Sequence, residues 1–137
     1  MQLTNPPKKY KSNHSIVYCC HYHVIFCTKY RRKFLTNGVD VRLKELILEK
    51  QEDYEYEVLD MEIMPDHVHL LLNVNPQFGV IKAVGRIKGY SAHTLRKEFS
   101  HLKTRVPNIW TRSKFVSTVG AVTLEVVKRY IENQKNR

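Results

Sequence analysis

Residues 55–74, EYEVLDMEIMPDHVHLLLNV, decide how this chain folds. From Glu55 to Met64, Tyr56, Val58 and the later apolar positions alternate with Glu57, Asp60 and Glu62, the pattern of a half-exposed strand. Pro65-Asp66 ends it and begins a tight connection, and His67 to Val74 is a further strand. Two strands joined by so short a link pair antiparallel, and the rest of the chain must be arranged around that pair.

Upstream, His14 to Cys27 (HSIVYCCHYHVIFC) is rich in β-branched and aromatic residues, with Cys20, Tyr22, Val24 and Phe26 on one face; it reads as the first strand. Thr28 to Lys33 is a basic loop, Asn37-Gly38 a turn or helix start, and Val41 to Tyr54 a helix with Val41, Leu43, Leu46 and Ile47 or Leu48 inward. Downstream, residues 77–99 read as a long helix with Val80, Val84, Ile87, Leu95 and Phe99 at helical spacing. Gly85 and Gly89 cost that helix about 1 kcal/mol each relative to Ala, which points to close approach of a strand or a ligand backbone. His101 to Arg112 is irregular around Pro107, Lys114 to Val119 is a short last strand, and a final amphipathic helix covers about 123–135 with Leu124, Val127 and Ile131 inward.

The order strand, helix, strand, strand, helix, strand, helix predicts an α+β, ferredoxin-like (RRM-like) antiparallel sheet with helices on one face and an additional C-terminal helix. Residues 1–13, with two prolines, three lysines and no periodicity, read as a flexible basic arm, and 14–137 as a single domain, since 137 residues are too few for two ordinary cores. No apolar run is long enough for a membrane span and no signal peptide is evident, so the expectation is a cytoplasmic protein without membrane association. Cys19, Cys20 and Cys27 form no CxxC pair and suggest neither a disulfide framework nor a thiolate zinc site. Lys and Arg outnumber Asp and Glu by 23 to 13, and the resulting charge of +10, spread along the chain, points to a polyanionic partner.

Two groups of residues carry the chemistry. On a strand, His67 and His69 point to the same side about 7 Å apart and make half a metal site, leaving room for a third side chain, water and a substrate oxygen. A second pair of that spacing, His21 and His23, reads as a sheet-face pair touching nucleic acid, because only the later pair is fed by the MPD turn. On the last helix, Tyr130 and Gln134 are one turn apart on one side. A phenoxide is a competent nucleophile toward phosphorus, and the resulting ester retains the phosphodiester's energy for resealing. Gln134 would add a neutral oxygen to the two imidazoles, a set that suits Mg²⁺ or Mn²⁺ and also leaves zinc open. Basic and aromatic residues interleave at Lys29, Tyr30, Arg31, Arg32 and Lys33, again at Arg86, Lys88 and Tyr90, and near Trp110 and Arg112. Cations for phosphates beside rings for unpaired bases fit structured single strands better than plain duplex.

The segments YHVIFCTKYRRKFL, MEIMPDHVHLLL, GRIKGYSAHTLRKEF, IWTRSKFVSTVG and VVKRYIENQ, in that order over nearly the whole chain, resemble the single-tyrosine HUH transposases, which move small bacterial and archaeal insertion sequences as single-stranded DNA. The resemblance implies a homodimer with composite active sites, in which His67 and His69 of one subunit meet the tyrosine helix of the other across a hinge at Gly120. It makes Tyr130 the nucleophile, Gln134 the third ligand, and Mg²⁺ or Mn²⁺ the metal. It implies recognition of hairpins near the element ends, with a 5′-phosphotyrosine and a free 3′-hydroxyl after cleavage. Three other readings compete: a domesticated relative acting on chromosomal palindromes, a non-catalytic single-strand binding module, and a small metallohydrolase in which the histidines activate water.

Overall fold

The computed structural model describes residues 10–12, 15–105, 108–120 and 124–135; most of the arm read at 1–13, Pro107 and residue 123 lie outside them. Its elements are β1 (Lys11–Ser12), β2 (Val17–Tyr18), β3 (His21–Cys27), a 3₁₀ turn (Lys29–Arg31), α1 (Val39–Glu49), β4 (Tyr56–Met64), β5 (His67–Val74), α2 (Val80–Glu98), α3 (Ser100–Arg105), β6 (Phe115–Thr118) and α4 (Leu124–Glu132). The main sheet has the order β4-β5-β3-β6 and all its pairs are antiparallel, the ferredoxin-like order expected from the element sequence.

Alternation sorts the sheet into two faces. Tyr22, Val24 and Phe26 of β3 and Val68, Leu70, Leu72 and Val74 of β5 join the main core with Leu43, Leu46 and Ile47 of α1 and Ala83, Val84, Ile87 and Leu95 of α2. The opposite face carries His23, Ile25 and Cys27 of β3 and His67, His69 and Leu71 of β5. Apart from His67, these are also buried, since α4 lies over that side, which is why HVHLLLNV contains three successive leucines. Between Val58 and Asp60 the β4 register slips by one residue, so Glu57, Asp60 and Glu62 all fall opposite second-face residues of β5, namely Asn73, Leu71 and His69.

The structure alters several expectations. The first strand is interrupted at Cys19 and Cys20, and Val17–Tyr18 instead pairs with Lys11–Ser12, which the sequence placed in the arm. Helix α1 begins two residues earlier and ends at Glu49; Val39 is its buried first residue, while Val41 and Leu48 are exposed. Asn37 and Gly38 both take positive φ to enter it, a conformation that glycine adopts without a side-chain penalty. The start of the stretch from His101 to Arg112, read as irregular, is helical: Ser100–Arg105 forms α3. Gly85 and Gly89 meet no strand: both are exposed and open space surrounds the place of a Cβ. Among the described residues no helix is long and apolar enough to cross a membrane.

Candidate active site

The tight Pro65-Asp66 turn serves the site directly. Thr28 N–H donates to the Asp66 carbonyl and Leu35 N–H to the Pro65 carbonyl, while the Thr28 hydroxyl donates to the Arg32 carbonyl, so the turn is pinned to the loop after β3. The Asp66 carboxylate lies 2.8 Å from Nδ1 of His67 and accepts from Arg31 Nε at 3.0 Å and Nη2 at 2.9 Å. Burial works against the Asp66 charge, but hydrogen bonds from His67 and Arg31 outweigh it and hold the carboxyl below its ordinary range. Arg31 and its neighbour Tyr30 both have positive φ, a strained arrangement that aims the guanidinium back at the turn.

His69 lies deeper, 6% exposed, with Nε2 3.2 Å from Nδ1 of His23, itself 2% exposed. Burial, reinforced by His23, pushes the His69 imidazole down to about 4, and burial also lowers His23. Both rings are therefore neutral at physiological pH, the state in which an imidazole can ligate a metal. The structure thus brings together a pair that the sequence reading kept apart; His23 does not lie on an open surface but behind one of the candidate ligands. The available signal was the period-two phase of β3, which puts His23 on the side away from Tyr22 and Val24.

His67 and His69 open into a cleft of about 430 Å³. Glu62 and Met64 of β4 border it on one side and Leu124, Val127, Lys128, Ile131 and Glu132 of α4 cover it. Arg31 also reaches Glu132 at 3.4 Å and so ties the end of α4 to the Asp66 turn. Among the described residues no three His, Cys, Asp or Glu side chains gather into a metal-holding group, so the imidazole pair needs a donor of another kind: an amide, a phosphate or water.

Tyr130 lies on the flank of α4 toward β6, and Gln134 follows in the turn after Glu132, where the helix expected to about 135 ends. The Tyr130 hydroxyl is 3.0 Å from Ser113 Oγ, its ring stacks obliquely on Phe115 at 5.4 Å, and the Ser113 hydroxyl donates to Gln134 Oε1 at 2.8 Å. Because that serine proton goes to Gln134, Tyr130 is the donor to Ser113. Neither residue lines the histidine cleft, and the intervening strand between β5 and the β6 edge is β3. Tyr130 and Gln134 thus stay together, as their spacing implied, at a place apart from the cleft.

The residues read as DNA contacts divide. Arg32 and Lys33 are exposed beside Tyr30, and Arg86 and Arg112 are exposed elsewhere. Lys29 lies 5.2 Å above the Tyr30 ring. Arg31 is engaged with Asp66 and Glu132. Lys88 is half-buried and donates to the carbonyls of Thr111 and Ser113 at 2.6 and 3.0 Å, so it braces the loop that holds Tyr130. Burial, with Lys114 adding to it, lowers its ammonium to about 8.

A family model described as "Transposase IS200 like" matches residues 16–134. The ISDra2 transposase TnpA of Deinococcus radiodurans is 35% identical over 133 residues, 96% of this chain and 95% of the relative. The transposase of insertion sequence element IS200 from Salmonella typhimurium is 35% identical over 118 residues, 84% of this chain and 76% of the relative. A crystal structure from Deinococcus radiodurans R1, assigned as a transposase, superposes with a TM-score of 0.84 at 36% identity, covering 93% of this chain and 99% of that one. A REP-associated tyrosine transposase bound to a REP hairpin shares the fold alone, with a TM-score of 0.51 at 14% identity over 89% of this chain and 69% of that one.

Proposed function

The chain belongs to the IS200-like transposase family, and from that premise we propose that it cuts and rejoins single-stranded DNA at hairpin-marked ends through a 5′-phosphotyrosine. The observation that carries this reading is the pair His67 and His69 in a cleft covered by the helix that bears Tyr130.

His67 and His69, with the Gln134 oxygen, would hold Mg²⁺ or Mn²⁺, and such an ion when bound polarises the scissile phosphate and offsets charge on the departing oxygen. The donor set fits: Asp66 engages His67 Nδ1 and leaves the Nε2 lone pair for a cation, and one neutral oxygen would complete what two imidazoles begin. The Tyr130 oxygen attacks phosphorus, the bond from phosphorus to the 3′ oxygen breaks, the phenolic proton is released and the 3′ oxygen leaves as a hydroxyl. One phosphoester replaces another, so a free 3′-hydroxyl can reverse the step without a nucleotide cofactor.

Tyr130 and Gln134 rest on Ser113, so α4 must shift for them to meet a histidine pair. We infer a homodimer in which the helix of one subunit serves the histidines of its partner, with Gly120, at φ 91°, as the hinge. The exposed cations Arg32, Lys33, Arg86 and Arg112 would hold the DNA backbone, and hairpins are the substrate chosen because a transposase sharing the fold was solved on one. A DNA substrate places the work in the cytoplasm.

The test incubates the protein with Mg²⁺ or Mn²⁺ and single-stranded hairpin oligonucleotides from its own genomic flanks, then looks for covalent adduct on a denaturing gel. Adduct is expected with the native protein and absent from Tyr130→Phe and from EDTA-treated samples. Cleavage that persists in Tyr130→Phe would instead indicate a nuclease that uses water.

A further inference from the structure

His23 is buried beside the site and has no place in the chemistry derived so far. It stands directly across the ladder from Leu71 and reaches His69 diagonally, with ring centroids 5.4 Å apart and ring planes at 54°. The contact is between Nδ1 of His23 and Nε2 of His69 at 3.2 Å, hydrogen-bond distance for two ring nitrogens.

A hydrogen bond between two neutral imidazoles contains one proton, and its position decides what His69 can do. If the proton is on His23 Nδ1, His69 accepts at Nε2 and carries its own hydrogen on Nδ1; neither nitrogen then has a lone pair for a cation. If the proton is on His69 Nε2, His23 accepts and His69 Nδ1 keeps its lone pair. Only the second arrangement allows His69 to be a ligand with its ring where it lies.

We propose that His23 is a positioning residue for His69: by accepting the Nε2 proton it selects the tautomer that presents Nδ1 to the cation. His67 is set the other way, with Nδ1–H donating to Asp66 and Nε2 presented. Two ligands of opposite tautomer, each selected by a different neighbour, make one site. This inference rests on the reading of His67 and His69 as metal ligands.

Long-range ¹⁵N correlation spectra of the metal-free protein report the tautomers directly, and the expected result is Nε2–H for His69 with Nδ1–H for His67. Mn²⁺ affinity is measured alongside by calorimetry in folded His69→Ala, His23→Leu and His23→Asn, the last placing an amide oxygen where Nδ1 lies. We expect His69→Ala to lose binding, His23→Leu to bind about 10- to 100-fold more weakly, and His23→Asn to stay within about threefold of the native protein. Unchanged Mn²⁺ binding in His69→Ala would remove the metal reading itself. Loss in His69→Ala with native affinity in His23→Leu, or a His69 Nδ1–H tautomer in the spectra, would overturn the role of His23 alone. If the leucine variant does not fold, His23→Gln replaces it, since its amide extends to the position of Nε2 and should bind as weakly as leucine was expected to; equal affinity of the Asn and Gln variants would overturn the proposal.

Discussion

His67 and His69 are two residues apart on one strand, yet their surroundings differ: one ring is held by a carboxylate that Arg31 secures, the other by a second imidazole. Replacing Asp66 by Ala should leave His67 in place without its orienting partner and weaken Mn²⁺ binding by about 10- to 100-fold, measured by calorimetry. The depressed His69 pKa also has a consequence for the metal-free protein. Its folded value of about 4 lies below the ordinary 6.5, so between those values the unfolded chain binds more protons than the native one. Stability must therefore fall as pH drops from about 6.5 toward 4, by on the order of 3 kcal/mol from His69 at most. Urea unfolding across that range should show the loss, and His69→Asn should reduce it, leaving the share of His23, whose imidazole pKa burial also lowers. The spacing of His67 and His69 was legible in the sequence; the role of His23 was not, because it depends on which strand lies next to β5 and in what register.

At the scale of elements, the groups that hold α4 on the sheet include buried Val127, the Arg31–Glu132 contact, the Tyr130 ring on Phe115, and Ser113 between Tyr130 and Gln134. Ser113→Ala removes the donor to the buried Gln134 oxygen and should loosen the helix by about 1 to 3 kcal/mol, read as faster amide hydrogen exchange over 124–132 than over β5. Gly120, with φ 91°, just precedes the connection to this helix. A β-branched residue there is strained by about 1 to 3 kcal/mol, and Gly120→Val should lower strand-transfer yield while leaving the Mn²⁺ affinity of the histidine pair unchanged. The alternation expected over 55–64 does not mark the bulge in β4, which brings Glu57, at an odd position, and Asp60 and Glu62, at even ones, onto the histidine face. The end of α1 was harder to read, because residues 50–54 keep a helix-like composition and only the turn into β4 stops it.

For the whole molecule, a charge of +10 makes DNA binding strongly salt-dependent. If Arg86 and Arg112 each meet one phosphate, Ala at either position should reduce the slope of log affinity against log salt by about 0.7, measured by fluorescence anisotropy with a single-stranded hairpin. Lys88→Ala should behave differently: its ammonium braces the Thr111 and Ser113 carbonyls, so its loss should register mainly in thermal stability. The sheet has a buried layer on each face, which is why Leu70→Ala on the main core side should cost about 2 to 5 kcal/mol in a chemical denaturation curve.

Local pattern determined a good deal by itself. Period two and a two-residue turn set β4 against β5, period 3.6 set the inward side of α2, and the element order left few topologies beyond the one observed; of the three residues expected inward on α4 only Val127 is buried, and Leu124 is exposed. Local pattern also put His67 beside His69, because i, i+2 on a strand is fixed by backbone geometry, whereas Gln134 lies past the end of α4 and meets Tyr130 at Ser113. What only the tertiary structure decided are the contacts across elements: His23 behind His69, Arg31 on Asp66, Lys88 under the Ser113 loop, and Tyr130 on the β6 flank rather than over the histidines. Each joins residues remote in sequence through register and packing, and neither is encoded in the spacing of one segment.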